Sequence, residues 1–275
     1  MRLLRLLAIL LFLGSLCLFG YSRYQYQLGL NADMPVLTSD TELLELRCEE
    51  AQEGIFRGLT ATDATDGDLT DRIFVASTSH FLEPGTVNIK YVVFDSHHNS
   101  ATLTRKVHYT DYHGPVFSLS KAPIYLRGEN FDLLEHITVT DCLDGNISHK
   151  VRLVSGAVSN YTPGTYPILL EAYNSYGDAT QLQILVTYLD KSQSTVSIIL
   201  SDYVDYVEQD AVYDPATKVL AVTDSQGKTL DKTKVTFTGN LDTSTPGFYP
   251  MVYSYNDGTL KGQTCITVVV KEAEK

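Results

Sequence analysis

Thr62-Asp63-Ala64-Thr65-Asp66-Gly67, Thr140-Asp141-Cys142-Leu143-Asp144-Gly145 and a worn Thr223-Asp224-Ser225-Gln226-Gly227 are one phrase written three times along this chain. A proline-glycine pair follows each copy: Pro84-Gly85, Pro163-Gly164 and Pro246-Gly247. Both markers repeat at roughly 80 residues, and two markers keeping one period signify tandem modules. A module of that length suits a single β-sandwich. The expected division is a leader and tether over 1–34, then modules over 35–111, 112–190 and 191–275.

The residues around the phrase carry strand signals. After Pro84-Gly85, Val87, Ile89, Tyr91 and Val93 keep the period of two of a strand with one buried face. The stretch from Ala101 to Tyr109 puts Ala101, Leu103, Arg105, Val107 and Tyr109 on one face, with Arg105 breaking its apolar character. The second copy repeats this grammar through Pro163-Gly164-Thr165-Tyr166 and Gln181 to Tyr188, and the third through Pro246-Gly247-Phe248-Tyr249 and Thr264 to Val270. Beyond the first twenty residues no sustained 3.6-residue apolar period occurs, so the fold class is all-β.

The formal net charge is -12 over 275 residues. A nucleic-acid binder carries a basic footprint, so that class is excluded as partner. Four cysteines are present: Cys17 in the leader, then Cys48, Cys142 and Cys265, one per repeat. No module can close an internal disulfide, which excludes the cysteine-pinned antibody type of sandwich. Zinc-ligand spacing is absent.

Arg2 and Arg5 precede an apolar run from Leu6 to Phe19, the pattern of an export signal. Neither a small-x-small cleavage site nor a small residue before Cys17 is present, which favours an uncleaved signal-anchor helix crossing the membrane through residues 3–21. The excess of positive charge ahead of the run would leave the C-terminal region outside the cell. The alternative is a cleaved signal and a secreted product.

An apolar strand, then Thr62 through Thr70 (Thr-Asp-Ala-Thr-Asp-Gly-Asp-Leu-Thr), a second strand, Pro84-Gly85-Thr86 and a paired-strand ending resemble the bacterial surface immunoglobulin-like family, whose relatives are appended to surface proteins and to some pesticidal crystal toxins. The second copy has Asn146-Ile147-Ser148 in place of Asp68-Leu69-Thr70, and the third departs further. The resemblance covers about residues 35–271. It implies three tandem immunoglobulin-like sandwiches, an extracellular adhesive or spacing role, and no catalytic residues.

Asp63, Asp66 and Asp68 could offer hard oxygen ligands to calcium, the one cofactor this sequence suggests. The competing reading is a turn in which aspartate bonds its own backbone and Gly67 takes a positive φ. The third copy keeps Asp224 while losing the other carboxylates, which favours the turn. His80, His97, His98, His108 and His113 crowd the first repeat without metal-ligand spacing. No nucleophile elbow, zinc-protease helix or phosphate-cradling loop is present, so the chain is read as non-catalytic. The expected function is a surface spacer or adhesion module for an unidentified protein. The alternative is a glycan-binding module, for which Tyr203, Tyr206, Tyr249, Tyr253 and Tyr255 are the candidate stacking residues.

Overall fold

The computed structural model describes residues 2–32, 34–190, 192 and 195–272, and within the N-terminal helix the side chains of residues 9–26. The chain divides into two compact units, Met1–Tyr112 and His113–Lys275. Among the described residues it is mostly β-strand arranged in several sheets, with one long helix. Lys191, where the third module is expected to begin, lies outside the described residues.

That helix, α1 (Arg2–Ala32), overturns the expectation of a single-pass membrane anchor. Among the described residues no helix is long and apolar enough to cross a membrane. The apolar run of α1, Leu6–Phe19, is interrupted by Gly14 and Ser15 and is followed at once by Gly20 and then Tyr21-Ser22-Arg23-Tyr24-Gln25-Tyr26. At about 1.5 Å per residue that run covers about 21 Å, against a hydrocarbon thickness of about 30 Å.

In the first unit the strands are β1 (Val36–Ser39), β2 (Leu43–Leu46), β3 (Leu59–Asp63), β4 (Gly67–Asp68), β5 (Phe74–Thr78), β6 (Thr86–Phe94) and β7 (Ser100–Tyr109). They form two sheets, β1-β3-β4 and β2-β7-β6-β5. Strand β2 joins β7 in parallel, and the remaining pairs are antiparallel. Val87, Ile89, Tyr91 and Val93 are all buried, as their period of two requires. Each side chain so buried contributes about 1.5–3 kcal/mol. Leu46, Leu59, Ala61, Leu69, Val107 and Tyr109 are among the residues buried with them.

Arg105 shares the buried face of β7, with no side-chain exposure. Its guanidinium donates to the carbonyl oxygens of Arg57 at 2.7 Å and Ile55 at 2.6 Å and to Ser39 Oγ at 3.1 Å, and it lies 5.5 Å from the centroid of the Tyr91 ring. The charge therefore serves as a post for residues 47–58, the segment between β2 and β3. The aligned positions in the later repeats, facing Ile168 and Met251, are Ile184 and Ile266.

The second unit repeats the plan. Its first half holds β8 (Val116–Leu119), β9 (Ile124–Leu126), β10 (Ile137–Asp141), β11 (Gly145–Asn146), β12 (Arg152–Ser155), β13 (Gly164–Tyr173) and β14 (Ala179–Leu189). The sheets are β8-β10-β11 and β9-β14-β13-β12. Its second half holds β15 (Val196–Leu200), β16 (Val204–Glu208), β17 (Val219–Asp224), β18 (Val235–Thr238), β19 (Gly247–Asn256) and β20 (Lys261–Lys271), in sheets β15-β17 and β16-β20-β19-β18. Each half has its own apolar core. The two halves also pack on each other: Val204 joins the core of the first half, and the Phe117 N–H donates to Tyr206 Oη at 3.0 Å. Cys265 is buried at this junction, with its thiol 3.7 Å from the Leu185 carbonyl oxygen.

Candidate functional site

The repeated phrase forms an aspartate-bonded turn in all three places, the third one residue tighter. Asp63 Oδ1 accepts from the N–H groups of Thr65 and Asp66, both at 2.8 Å. Asp141 Oδ1 accepts from Leu143 and Asp144, both at 2.9 Å, and Asp224 Oδ1 from Gln226 and Lys228, both at 2.9 Å. Gly67, Gly145 and Gly227 close these turns at φ +76, +69 and +81, a region that costs an L-residue about 1–2 kcal/mol. A short polar side chain and a glycine are what such a turn needs.

The second aspartate works at longer range. Asp66 accepts from the Ser96 hydroxyl at 2.8 Å and from its N–H at 2.5 Å. Asp144 repeats this with Ser175, at 2.6 and 2.7 Å, and adds Lys150 Nζ at 3.0 Å. The turn is thereby bolted to the loop joining the two long strands of each repeat. The Ser96 N–H, and after it the Ser96 hydroxyl, holds the Asp66 carboxyl below the usual carboxylate range. Asp68 is lowered in the same way by the Thr70 hydroxyl and N–H. In the third repeat Gln226 stands near the place of this aspartate.

The oxygens of the three expected calcium ligands are therefore unequally engaged. Asp66 uses both, and Asp68 uses Oδ1 toward the Thr70 N–H at 2.9 Å. Asp63 Oδ2 is buried and has no hydrogen-bond partner. Among the described residues no group of three or more His, Cys, Asp or Glu is arranged to hold a metal ion. Of the five crowded histidines, His108 Nδ1 lies 2.9 Å from Thr86 Oγ1 in the ladder between β6 and β7.

The tyrosines that a glycan-binding alternative would use are largely inside, packed on their sheets. Tyr253 has no exposure and Tyr255 is buried beside it, while Tyr206 is part of the junction described above. The exposed aromatic pair is Phe74 and Phe94, on adjacent strands β5 and β6, with ring centroids 5.9 Å apart and planes at 20°. They stand 46% and 45% exposed, a cost a strand face ordinarily avoids. In the second repeat Arg152 lies over the Tyr173 ring at 4.8 Å, a charged version of the same pairing. Sequence reading missed the phenylalanines, although Phe94 falls on the outward parity of β6 set by Val87, Ile89, Tyr91 and Val93. Strand β5 is the last of its sheet and carries a register shift between Val75 and Ser77.

The second unit also has an open cleft of about 460 Å³ lined by Ser197, Tyr203, Asp224, Ser225, Gln263 and Thr264. Thr264 Oγ1 is buried there without a hydrogen-bond partner.

No family model matches the chain. It is similar to the pesticidal crystal protein Cry22Aa of Bacillus thuringiensis, 31% identical over 208 residues, which is 72% of this chain and 27% of that protein. The chain thus spans about a quarter of the length of this relative. Among solved structures, the M60 catalytic domain with two CBM51 domains from Clostridium perfringens ZmpB is 13% identical, with a TM-score of 0.25, over 88% of this chain and 31% of that one. Mouse cadherin-23 EC22-24 is 12% identical, with a TM-score of 0.20, over 88% of this chain and 100% of that one. Likenesses at these scores carry no argument about fold or function.

Proposed function

We propose that the chain is an extracellular, non-catalytic spacer or adhesion module built of three repeats over 35–111, 112–190 and 191–275, presenting sheet surfaces to a protein partner. The observation that carries this reading is the exposed Phe74–Phe94 stack beside an edge strand. Exposed aromatics on a rigid sheet supply contact area at low entropic cost, and an edge can add a partner strand. The hydrogen bonds of the aspartate turns run within each repeat, which suits a scaffold more than a reactive site. Similarity to a quarter of a pesticidal crystal protein fits a module appended to proteins of differing activity.

Glycan binding is the second reading, favoured by the cleft in the second unit. Ser197, Ser225 and Gln263 with the buried Thr264 hydroxyl are neutral hydrogen-bonding groups beside the Tyr203 ring, a chemistry suited to a saccharide. One experiment separates the two. The full chain is probed against matrix-protein and glycan arrays, alongside Phe74→Ala/Phe94→Ala and Gln263→Ala variants. Protein binding lost in the phenylalanine variant supports the proposal. Glycan binding lost in Gln263→Ala, with the phenylalanine variant unaffected, overturns it.

A further inference from the structure

The first and second repeats differ at one buried pair. In the second, Asp141 Oδ2 accepts from Asn174 Nδ2 at 3.0 Å, so both oxygens of that aspartate are satisfied. In the first, the corresponding oxygen, Asp63 Oδ2, is buried without a partner, and Asp63 is 8% exposed. The residue matching Asn174 is Asp95. Backbone bonding fixes that correspondence: Asp95 Oδ1 accepts from the N–H groups of His97 and Asn99, as Asn174 Oδ1 accepts from those of Tyr176 and Asp178. The Asp95 N–H donates to the Asn99 carbonyl as that of Asn174 does to Asp178. The serines that follow, Ser96 and Ser175, bond Asp66 and Asp144 alike, so turn and loop face each other the same way in both repeats.

An amide donor has thus become a second carboxylate, itself 7% exposed, whose Oδ2 accepts from Asn99 Nδ2 at 2.7 Å and so offers a cation only its remaining lone pair. Two carboxylates cannot hydrogen-bond each other when both are ionised, and an unpaired buried charge is costly. Among the described residues no lysine, arginine or histidine forms an ion pair with either. We propose that Asp63 and Asp95 hold a hard divalent cation, calcium for preference, in the place where the second repeat uses the Asn174 amide. The cation accepts the unpartnered Asp63 oxygen and balances the paired charge, with water filling the remaining positions of its shell. With two protein carboxylates the site is a weak one, in the range of about 10⁻⁴–10⁻³ M seen for extracellular modules. Of the expected calcium ligands this keeps Asp63, whose Oδ2 is the unpartnered buried oxygen, and puts Asp95 in the place of Asp66 and Asp68.

The test is calorimetric melting of the full chain in chelator and in 10 mM calcium, for wild type, Asp63→Asn and Asp95→Asn. The wild-type transition of the Met1–Tyr112 unit should rise by roughly 5–10 °C with calcium, the shift that saturating a site of this affinity gives a domain of this size. Asp95→Asn recreates the Asp141–Asn174 pair, so in chelator it should melt above wild type and should not respond to calcium. Asp63→Asn should also lose the response. An unchanged wild-type melt in calcium, an Asp95→Asn variant that still responds in full, or a wild type stabilised by mild acid and not by calcium each overturns the proposal. The last outcome would mean a shared proton in place of the cation.

Discussion

Replacing Arg105 with alanine tests whether the charge on the buried face of β7 is a structural post. The side chain makes three hydrogen bonds, two of them to the carbonyl oxygens of Ile55 and Arg57, and none of its surface is exposed. Hydrogen bonds from a charged donor are worth about 1.5–3 kcal/mol each. The nearest carboxylate, Asp40, lies 3.9 Å away and is itself 63% exposed, so its ion pair adds little. Alanine also leaves a cavity beside Tyr91. The expected loss is about 3–5 kcal/mol, on the scale of breaking a buried polar cluster or emptying a large core site. Arg105→Ile, the residue found at the aligned positions Ile184 and Ile266, should cost about 1–2 kcal/mol, because it refills the core. The Ile55 carbonyl also keeps a bond from Tyr91 Oη at 2.6 Å. Urea unfolding of the full chain gives the magnitudes, and amide exchange locates them. In both variants protection should fall first over residues 47–58. An alanine variant with an unchanged midpoint, or one that loosens the whole unit evenly, refutes the post.

Two further perturbations read other parts of the molecule. Lys121, whose Nζ lies 2.9 and 2.8 Å from the two carboxylate oxygens of Asp132, is the main cause of an Asp132 pKa of about 2 against the ordinary 3.8. A folded-state pKa below the unfolded one stabilises above the unfolded value and loses that contribution as pH falls through the folded value. Urea midpoints of wild type should therefore drop more steeply than those of Asp132→Asn between pH 4 and pH 2, and parallel curves would refute the pairing. Burial pushes the Cys265 thiol up to about 12, so at pH 8 a thiol reagent should label the partly exposed Cys142 and leave Cys265 untouched until the second unit unfolds. Early labelling of Cys265 would mean that the junction around Leu185 opens in the native state.

What the sequence made legible, and what it did not, follows from the range of each interaction. Strands β6, β13 and β19 could be read from alternation after a proline-glycine pair, because burial of one sheet face is a local, period-two requirement. The aspartate turns were equally local, since Asp63, Asp141 and Asp224 bond N–H groups two to four residues ahead. Arg105 marked an anomaly whose resolution lay about fifty residues away, at the Ile55 and Arg57 carbonyls, where no periodicity reaches. Tyr253 and Tyr255 are a related case: alternation puts them on one face without saying which, and the core took it, as strand packing rather than a sugar shelf requires. Phe74 and Phe94 meet across strands, so neither is conspicuous alone.

Asp95 is the instructive case. Alone it is an ordinary loop aspartate, and beside Asn174 it is a departure, because repetition within one chain supplies a control experiment. Where two copies keep the same backbone bonds and differ at a buried position, the difference can be treated as a substitution already made. That logic also covers the third copy. Asp257 occupies the matching place after Pro246-Gly247 and uses Oδ1 for the N–H groups of Thr259 and Leu260, while Tyr255 Oη reaches its Oδ2 at 3.4 Å. The second oxygen there meets a hydroxyl, and Asp224 Oδ2, unlike Asp63 Oδ2, is not among the buried atoms left without a partner. The first two copies thus differ at the turn aspartate's second oxygen, which meets the Asn174 amide in the second and is buried without a hydrogen-bond partner in the first, while in the third it is the loop aspartate's second oxygen that meets a hydroxyl.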